Sequence, residues 1–328
     1  MKLGLHQAAD FPISCFLFLA ALYSFGFAFG HLLFGSLYFL QICFLVLCIP
    51  FEFRNSRFGL YFPILAATLN VVTMAVRSDQ FTSPDYLQLD DLLTDEQKLI
   101  RESVRAYVKK EISPIIEDCA QKASFPEHIV KQLGDLGCFG PTIPAAYGGG
   151  GLDYISYGLM MQELERGDSG VRYTASVQGS LVMFPIYAYG SEAQRKKYLP
   201  KLASGEWLGC FGLTEPNHGS DPAGILTRFT DAGDHVILNG AKMWISNAPH
   251  AQVAVVWAKD DNDAIRGLII ERGMEGFSTP TTHGKWSLRA SATGELVFDH
   301  VKVPKENLLP NVKGIKGPPG CLNKARFG

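Results

Sequence analysis

The chain has 328 residues, 47% of them hydrophobic, enough for two or three packed units. Its 30 basic and 32 acidic residues leave a net charge of -2, which gives no electrostatic case for a nucleic-acid partner. The seven cysteines (Cys15, Cys43, Cys48, Cys119, Cys138, Cys210 and Cys321) lack CxxC spacing, and the eight histidines are dispersed without HExxH. That pattern fits reduced thiols in a reducing compartment and argues against a disulfide framework or a metal site.

In chain order, residues 1–80 read as a hydrophobic extension. From Phe11 to Phe51 no Asp, Glu, Lys or Arg occurs, and a second apolar stretch runs from Phe58 to Val76. Each is long enough to span a membrane. A secretory signal would be shorter, and a mitochondrial transit peptide would be Arg- and Ser-rich, whereas only Lys2 precedes Asp10. A skew to Phe, Leu, Cys, Ile and Tyr is also what translated T-rich non-coding DNA gives, so membrane contact hinges on residues 11–76 being genuine protein sequence.

Residues 81–205 read as a helical domain. Thr94 and Gln97 form a capping box, and Leu99, Ile100, Val104, Tyr107, Val108 and Ile112 recur at helical spacing until Pro114. Further helices are predicted at Pro126–Leu136, Tyr154–Arg166, Val171–Tyr189 after a break at Gly170, and Glu192–Ala203, capped by Ser191 and stopped near Gly205. The Gly148–Gly151 run lacks GxGxxG spacing and reads as an interhelical loop.

Residues 206–304 change to a period of two. Strands are predicted at Trp207–Leu213, His235–Leu238, Lys242–Ser246, Val253–Ala258, Gly267–Glu271 and Gly294–Phe298, with Asn239-Gly240 as a hairpin turn. Residues 305–328 read as a linker, including the Gly- and Pro-rich loop Pro310–Gly320, that leads into a helix start at Cys321–Phe327. The fold class is α+β, a helical domain followed by a β-domain.

Two runs carry the chemistry. Gly209–Asp221, GCFGLTEPNHGSD, joins an apolar strand to a loop of hydroxyls and glycine; Lys242–Asn247, KMWISN, sets an indole beside a hydroxyl. Thr214, Ser220 and the backbone near Gly219 are candidate donors to a flat ring and a diphosphate, Trp244 a cover for one ring face and Ser246 a donor to its edge. Singly, each has a plainer reading: a Trp in a strand is commonly core, and TEPN is commonly a turn.

Together with QELERGDSGVR (162–172), SLVMFPIYAYGSEAQRKKYLPKLASGEWLGCFGLTEPN (180–217), SLRASATG (287–294) and CLNKARFG (321–328), these runs resemble the acyl-CoA dehydrogenase family, and within it the glutaryl-CoA dehydrogenases. The resemblance covers residues 81–328 and implies an N-terminal helical domain, a middle β-barrel and a C-terminal four-helix bundle, of which this sequence reaches only the first turns. It implies FAD as cofactor, with Phe211, Leu213, Thr214, Gly219 and Ser220 as one wall and Trp244, Ile245 and Ser246 as the other. Ser246 replaces the more usual Thr, and His218 stands where a small polar residue is commoner.

The resemblance also places Arg172 against the distal carboxylate of a glutaryl chain, with Glu165, Tyr173 and Ser176 completing the acyl pocket. From the residues alone, Arg172 pairs as readily with Glu165 or Asp168. Ser220, Leu322, Asn323 and Arg326 match the CoA-binding motif, with Lys324 replacing the commoner Asn. The family's catalytic glutamate belongs to the bundle and matches no residue here, so the expectation is a chain without dehydrogenase activity by itself. The implied complete enzyme is a homotetramer of the mitochondrial matrix that converts glutaryl-CoA to crotonyl-CoA and carbon dioxide in lysine and tryptophan breakdown and passes electrons to electron-transfer flavoprotein. Two alternatives stand beside it: a dehydrogenase for a short uncharged acyl chain, and a non-catalytic membrane-tethered isoform.

Overall fold

Thr94, Asp153, Asp168 and Ser191 each cap the start of a helix with a side-chain oxygen. The structure, a computed structural model, describes residues 86–328, and the predicted hydrophobic segments within 1–80 lie outside the described residues. Helix α1 (Asp95–Tyr107) starts at the reciprocal bonds Gln97 N to Thr94 Oγ1 (3.2 Å) and Thr94 N to Gln97 Oε1 (3.1 Å). It continues as a π-helical stretch, Val108–Ile112. Helix α2 (Ile116–Lys122) is absent from the sequence reading, for a physical reason: none of its residues is fully buried and Ile116 alone packs against the core, so its apolar stripe is too short to read.

Helix α3 (Ile129–Asp135) begins later than predicted, because Pro126–His128 form a turn with Ile129 N bonded to the Pro126 carbonyl. Helices α4 (Tyr154–Gly167) and α5 (Ser169–Ser176) are separated at Asp168, whose backbone is extended (φ -167°, ψ 135°) and whose Oδ1 accepts from Gly170 N at 2.7 Å. The break is therefore at Asp168 and not at Gly170, which lies inside α5. Gly170 is needed there for space, since a Cβ would come within 3.1 Å of Ser291. A π-helical segment, Val177–Met183, carries α5 into α6 (Phe184–Tyr189), and α7 (Glu192–Ala203) is capped by Ser191 as its sequence predicts.

Seven strands follow: β1 (Gly209–Gly212), β2 (Arg228–Asp231), β3 (His235–Ser246), β4 (Val253–Lys259), β5 (Ile265–Glu271), β6 (Phe277–Ser278) and β7 (Thr293–Pro304). They form one sheet in the order β1-β4-β2-β3-β7-β6, with β5 also paired to β4. The predicted hairpin at Asn239-Gly240 is wrong. β3 runs through both residues as one strand, and Gly240 (φ 138°) absorbs a register shift against β7. Asn-Gly supplies positive φ to a bulge as readily as to a turn. The real hairpin joins β2 and β3 around Gly233 (φ 94°).

Strand β4 is buried on both faces, which is why it reads as a continuous apolar run. Val253, Val255 and Trp257 join the core shared with the helices, together with Leu164, Val182 and Tyr198. Ala254, Val256 and Ala258 join a second core with Cys210 of β1, Leu238 of β3, Leu268 of β5 and Phe298 and Val303 of β7, and Phe277 of β6 packs against it, so strands from both ends of the sheet order contribute. The sheet wraps round that second core. Helix α8 (Gly317–Ala325) starts four residues earlier than predicted, where Gly317 meets Trp257 so closely that a Cβ would sit 2.5 Å from its ring.

Candidate functional site

The two hydroxyl-rich runs are fastened together by backbone and by charge. Met243 N donates to the Thr214 carbonyl at 2.9 Å, and Lys242 Nζ donates to the Leu213 carbonyl (3.1 Å) and to Glu215 Oε1 (2.8 Å). Glu215 also accepts from Leu226 N at 2.6 Å and Thr227 N at 2.9 Å. The lysine is fully buried and the glutamate only 6% exposed. Burial holds the Lys242 ammonium down to about 8 despite its partner. Burial pushes Glu215 up, but the bonds from Leu226, Lys242 and Thr227 outweigh it and leave the carboxyl below its ordinary value. Sequence reasoning passes over this pair, although both residues lie in the quoted runs; the signal is a lysine facing inward on an alternating strand.

Beyond Lys242 the pairing of β3 with β7 slips between Lys242 and Ile245, and Trp244 takes a left-handed backbone (φ 60°). Its indole is 59% exposed, whereas Ile245 beside it is buried and Ser246 half-buried. Phe211 and Leu213 are buried in the wall, Thr214 is half-buried, and Gly219 and Ser220 are exposed. The hydroxyls of Thr214, Ser220 and Ser246 take no partner among the described residues. An exposed indole with unengaged donors offers a flat apolar face and hydrogen bonds to a ring.

Asn247 closes the second run: its backbone N–H donates to the Ala292 carbonyl (2.9 Å) and its Nδ2 to the Gly209 carbonyl (3.3 Å). Ala292 ends a loop held by two cations. Lys285 Nζ donates to the Leu288 carbonyl (2.7 Å) and Thr293 Oγ1 (3.0 Å), while Arg289 donates to the Ala120 (2.8 Å) and Gln121 (3.0 Å) carbonyls at the end of α2. Burial lowers the Lys285 ammonium.

A second locus lies on the helical side, a cleft of about 420 Å³ lined by Gly158, Met161, Gln162 and Glu165 of α4, Arg172 of α5 and residues 325–328. The extended Asp168 turns the chain so that Arg172 Nε donates to Glu165 Oε2 at 2.7 Å, and Ser169 Oγ donates to Glu165 Oε1 at 2.6 Å. Burial raises the Glu165 carboxyl, but these bonds carry it below its usual range. The cleft brings together Glu165, Arg172 and Arg326. Tyr173 is exposed with its ring 5.5 Å from the Arg172 guanidinium, Ser176 is buried and accepts from Tyr157 Oη at 3.4 Å, Leu322 is half-buried and Asn323 exposed; none of these four lines the cleft.

Among the described residues there is no cluster of metal-ligating side chains, and no helix is long and apolar enough to cross a membrane.

Comparison with known proteins converges on one family. Residues 94–206 match the acyl-CoA dehydrogenase N-terminal domain and residues 210–301 its middle domain. A glutaryl-CoA dehydrogenase of Desulfococcus multivorans is 41% identical over 248 residues, covering 73% of this chain and 62% of that protein. A mitochondrial isovaleryl-CoA dehydrogenase of Pongo abelii is 39% identical over 234 residues, covering 68% and 55%. The crystal structure of a glutaryl-CoA dehydrogenase from Mycobacterium smegmatis in complex with FADH2 superposes with a TM-score of 0.72 at 47% identity, over 74% of this chain and 62% of that one. The chain thus spans 55 to 62% of the length of these relatives. FAD is the cofactor of the family. With a helical domain and a β-sheet domain that each match, this chain belongs to the acyl-CoA dehydrogenase family.

Proposed function

We propose that the chain is an FAD-dependent acyl-CoA dehydrogenase of the glutaryl-CoA type. The observation that carries this reading is Arg172, a guanidinium on the wall of a cleft beside Met161 and Gly158, where a carboxylate at the end of an acyl chain finds a charge-assisted partner. Arg172 binds the distal carboxylate, and Glu165 and Ser169 fix the guanidinium's direction. Tyr173, its ring 5.5 Å from the Arg172 guanidinium, and the buried Ser176, bonded to Tyr157, support the acyl pocket from α5 without lining the cleft. Ser220, Leu322, Asn323 and Arg326 hold the CoA arm.

Phe211, Leu213, Thr214, Gly219 and Ser220 with Trp244, Ile245 and Ser246 are the residues that would hold FAD, Trp244 by covering its ring and the three hydroxyls by bonding its polar edge. Bound there, the cofactor supplies a hydride acceptor. No residue of this chain is assigned the general base. The same reading makes glutaryl-CoA the substrate and crotonyl-CoA and carbon dioxide the products, in lysine and tryptophan breakdown, with electron-transfer flavoprotein as electron acceptor, a homotetrameric assembly and the mitochondrial matrix as location.

The test is binding. Purified chain should quench flavin fluorescence on titration with FAD, and should bind glutaryl-CoA more tightly than butyryl-CoA by calorimetry. No quenching, or a preference for the uncharged thioester, would overturn it. A second reading rests on the 2.7 Å contact between Arg172 and Glu165: if that pair is permanent, the arginine is already neutralised and the pocket suits a short uncharged chain such as isovaleryl.

A further inference from the structure

Lys242 and Glu215 form a charge pair from which water is shut out. The lysine is 0% and the glutamate 6% exposed, and the carboxylate is saturated by Lys242 Nζ and two backbone N–H groups at 2.6 to 2.9 Å. A buried ion pair contributes little net stability against an apolar replacement of similar size, so its cost calls for another role, such as fixing register. The place of this pair fits such a role. It ties the Leu213–Glu215 stretch of one run to the residue at which β3 begins to slip its register, so each end of the bridge sits two residues or fewer from Thr214 or Trp244. Trp244 holds a left-handed backbone that a bulky residue adopts only when its surroundings enforce it (φ 60°).

We infer that Lys242, through its pair with Glu215, is a positioning residue that holds the Trp244 bulge and the Thr214 turn in one fixed relationship, setting the gap between indole and hydroxyl into which a flat ring fits. The inference rests on the flavin reading for its ligand, but the mechanical claim stands on the geometry of the chain alone. Without the ammonium, Glu215 keeps its two backbone amides and stays with the Leu226–Thr227 segment, while β3 loses its tie to the Leu213 carbonyl. The links left between the runs are then the Met243 N to Thr214 carbonyl bond beside the bulge and the Asn247 Nδ2 to Gly209 carbonyl bond beyond it, and the bulge between them is free to shift against β7.

The experiment compares the wild-type chain with Lys242→Met and with Val303→Ala, a change in the β-sheet core away from both runs. Each is examined by thermal unfolding, by hydrogen exchange of peptides covering 213–217 and 242–247, and by FAD titration followed through flavin fluorescence. Lys242→Met should speed exchange in both peptides about tenfold and weaken FAD binding about tenfold, the equivalent of one factor of ten in an equilibrium constant. Val303→Ala should lower Tm yet leave both readouts near wild type. Unchanged exchange in Lys242→Met, or the same acceleration in Val303→Ala, overturns the inference. A wild-type chain that does not quench FAD sinks the flavin reading instead, and the exchange comparison then decides the positioning claim by itself.

Discussion

Arg172 Nε meets Glu165 Oε2 at 2.7 Å across the one residue, Asp168, at which the helical backbone is interrupted. Their separation of seven residues would span two helical turns in an unbroken helix, on one face but far apart; the extended Asp168 folds the second helix back so that they touch. Because Glu165 is 45% exposed, the pair belongs to the site more than to the fold. Glu165→Gln should therefore change unfolding free energy by less than about 1 kcal/mol in urea, as for other exposed pairs. A larger loss would make the pair a structural element and favour the uncharged-substrate reading.

The Lys242–Glu215 pair gives stability a two-sided pH signature. Lys242 is held at about 8 in the folded chain against 10.5 when exposed, so between those values the unfolded state binds more protons and the lysine's contribution to stability rises with pH. Compared with Lys242→Met, the wild type should gain Tm from pH 8 upward, as far as about pH 10. Glu215 has the opposite window: its carboxyl is lowered from 4.5, so the stability it contributes is present above that value and lost as pH falls below it. Parallel Tm curves for wild type and Lys242→Met across the alkaline range would contradict the burial of the ammonium.

Gly240 marks the bulge that replaces the expected turn. Its φ of 138° and the approach of Thr227 Oγ1 to 2.6 Å from where a Cβ would sit leave no room for a side chain. Gly240→Ala should cost about 1 to 3 kcal/mol of unfolding free energy by denaturant titration, and Asn239→Ala less. An Ala variant as stable as wild type would show that β3 can pair without the bulge.

Arg289 ties the 285–292 loop to the last carbonyls of α2. Arg289→Ala should release both ends, lowering stability by about 1 to 2 kcal/mol and opening the loop to limited proteolysis near Trp286, which is already 99% exposed. An unchanged digestion pattern would mean that Lys285 alone organises the loop.

What the sequence made legible was local. The Thr94–Gln97 box and the Ser191 cap set helix starts because each bonds a residue only three positions away, within one turn. Helix α2 escaped because no residue in it is buried, and the Asn239-Gly240 turn was misread because the same backbone freedom serves a bulge. The flavin-type runs were legible as runs. Their fastening was not: Lys242 and Glu215 are 27 residues apart, and only the folded sheet brings them into contact. Arg172 stood with two candidate partners in the sequence, Glu165 and Asp168, and the fold gives Asp168 to the helix cap and Glu165 to the arginine.

The claim that Arg172 reads a distal carboxylate is tested most directly by calorimetric titration of wild type and Arg172→Met with glutaryl-CoA and with butyryl-CoA, in the presence of FAD. Loss of a charge-assisted bond predicts a penalty of about 2 to 4 kcal/mol for glutaryl-CoA and a change below about 0.5 kcal/mol for butyryl-CoA, as expected where no such bond is made. Equal penalties on the two thioesters, or none on either, would contradict the assignment.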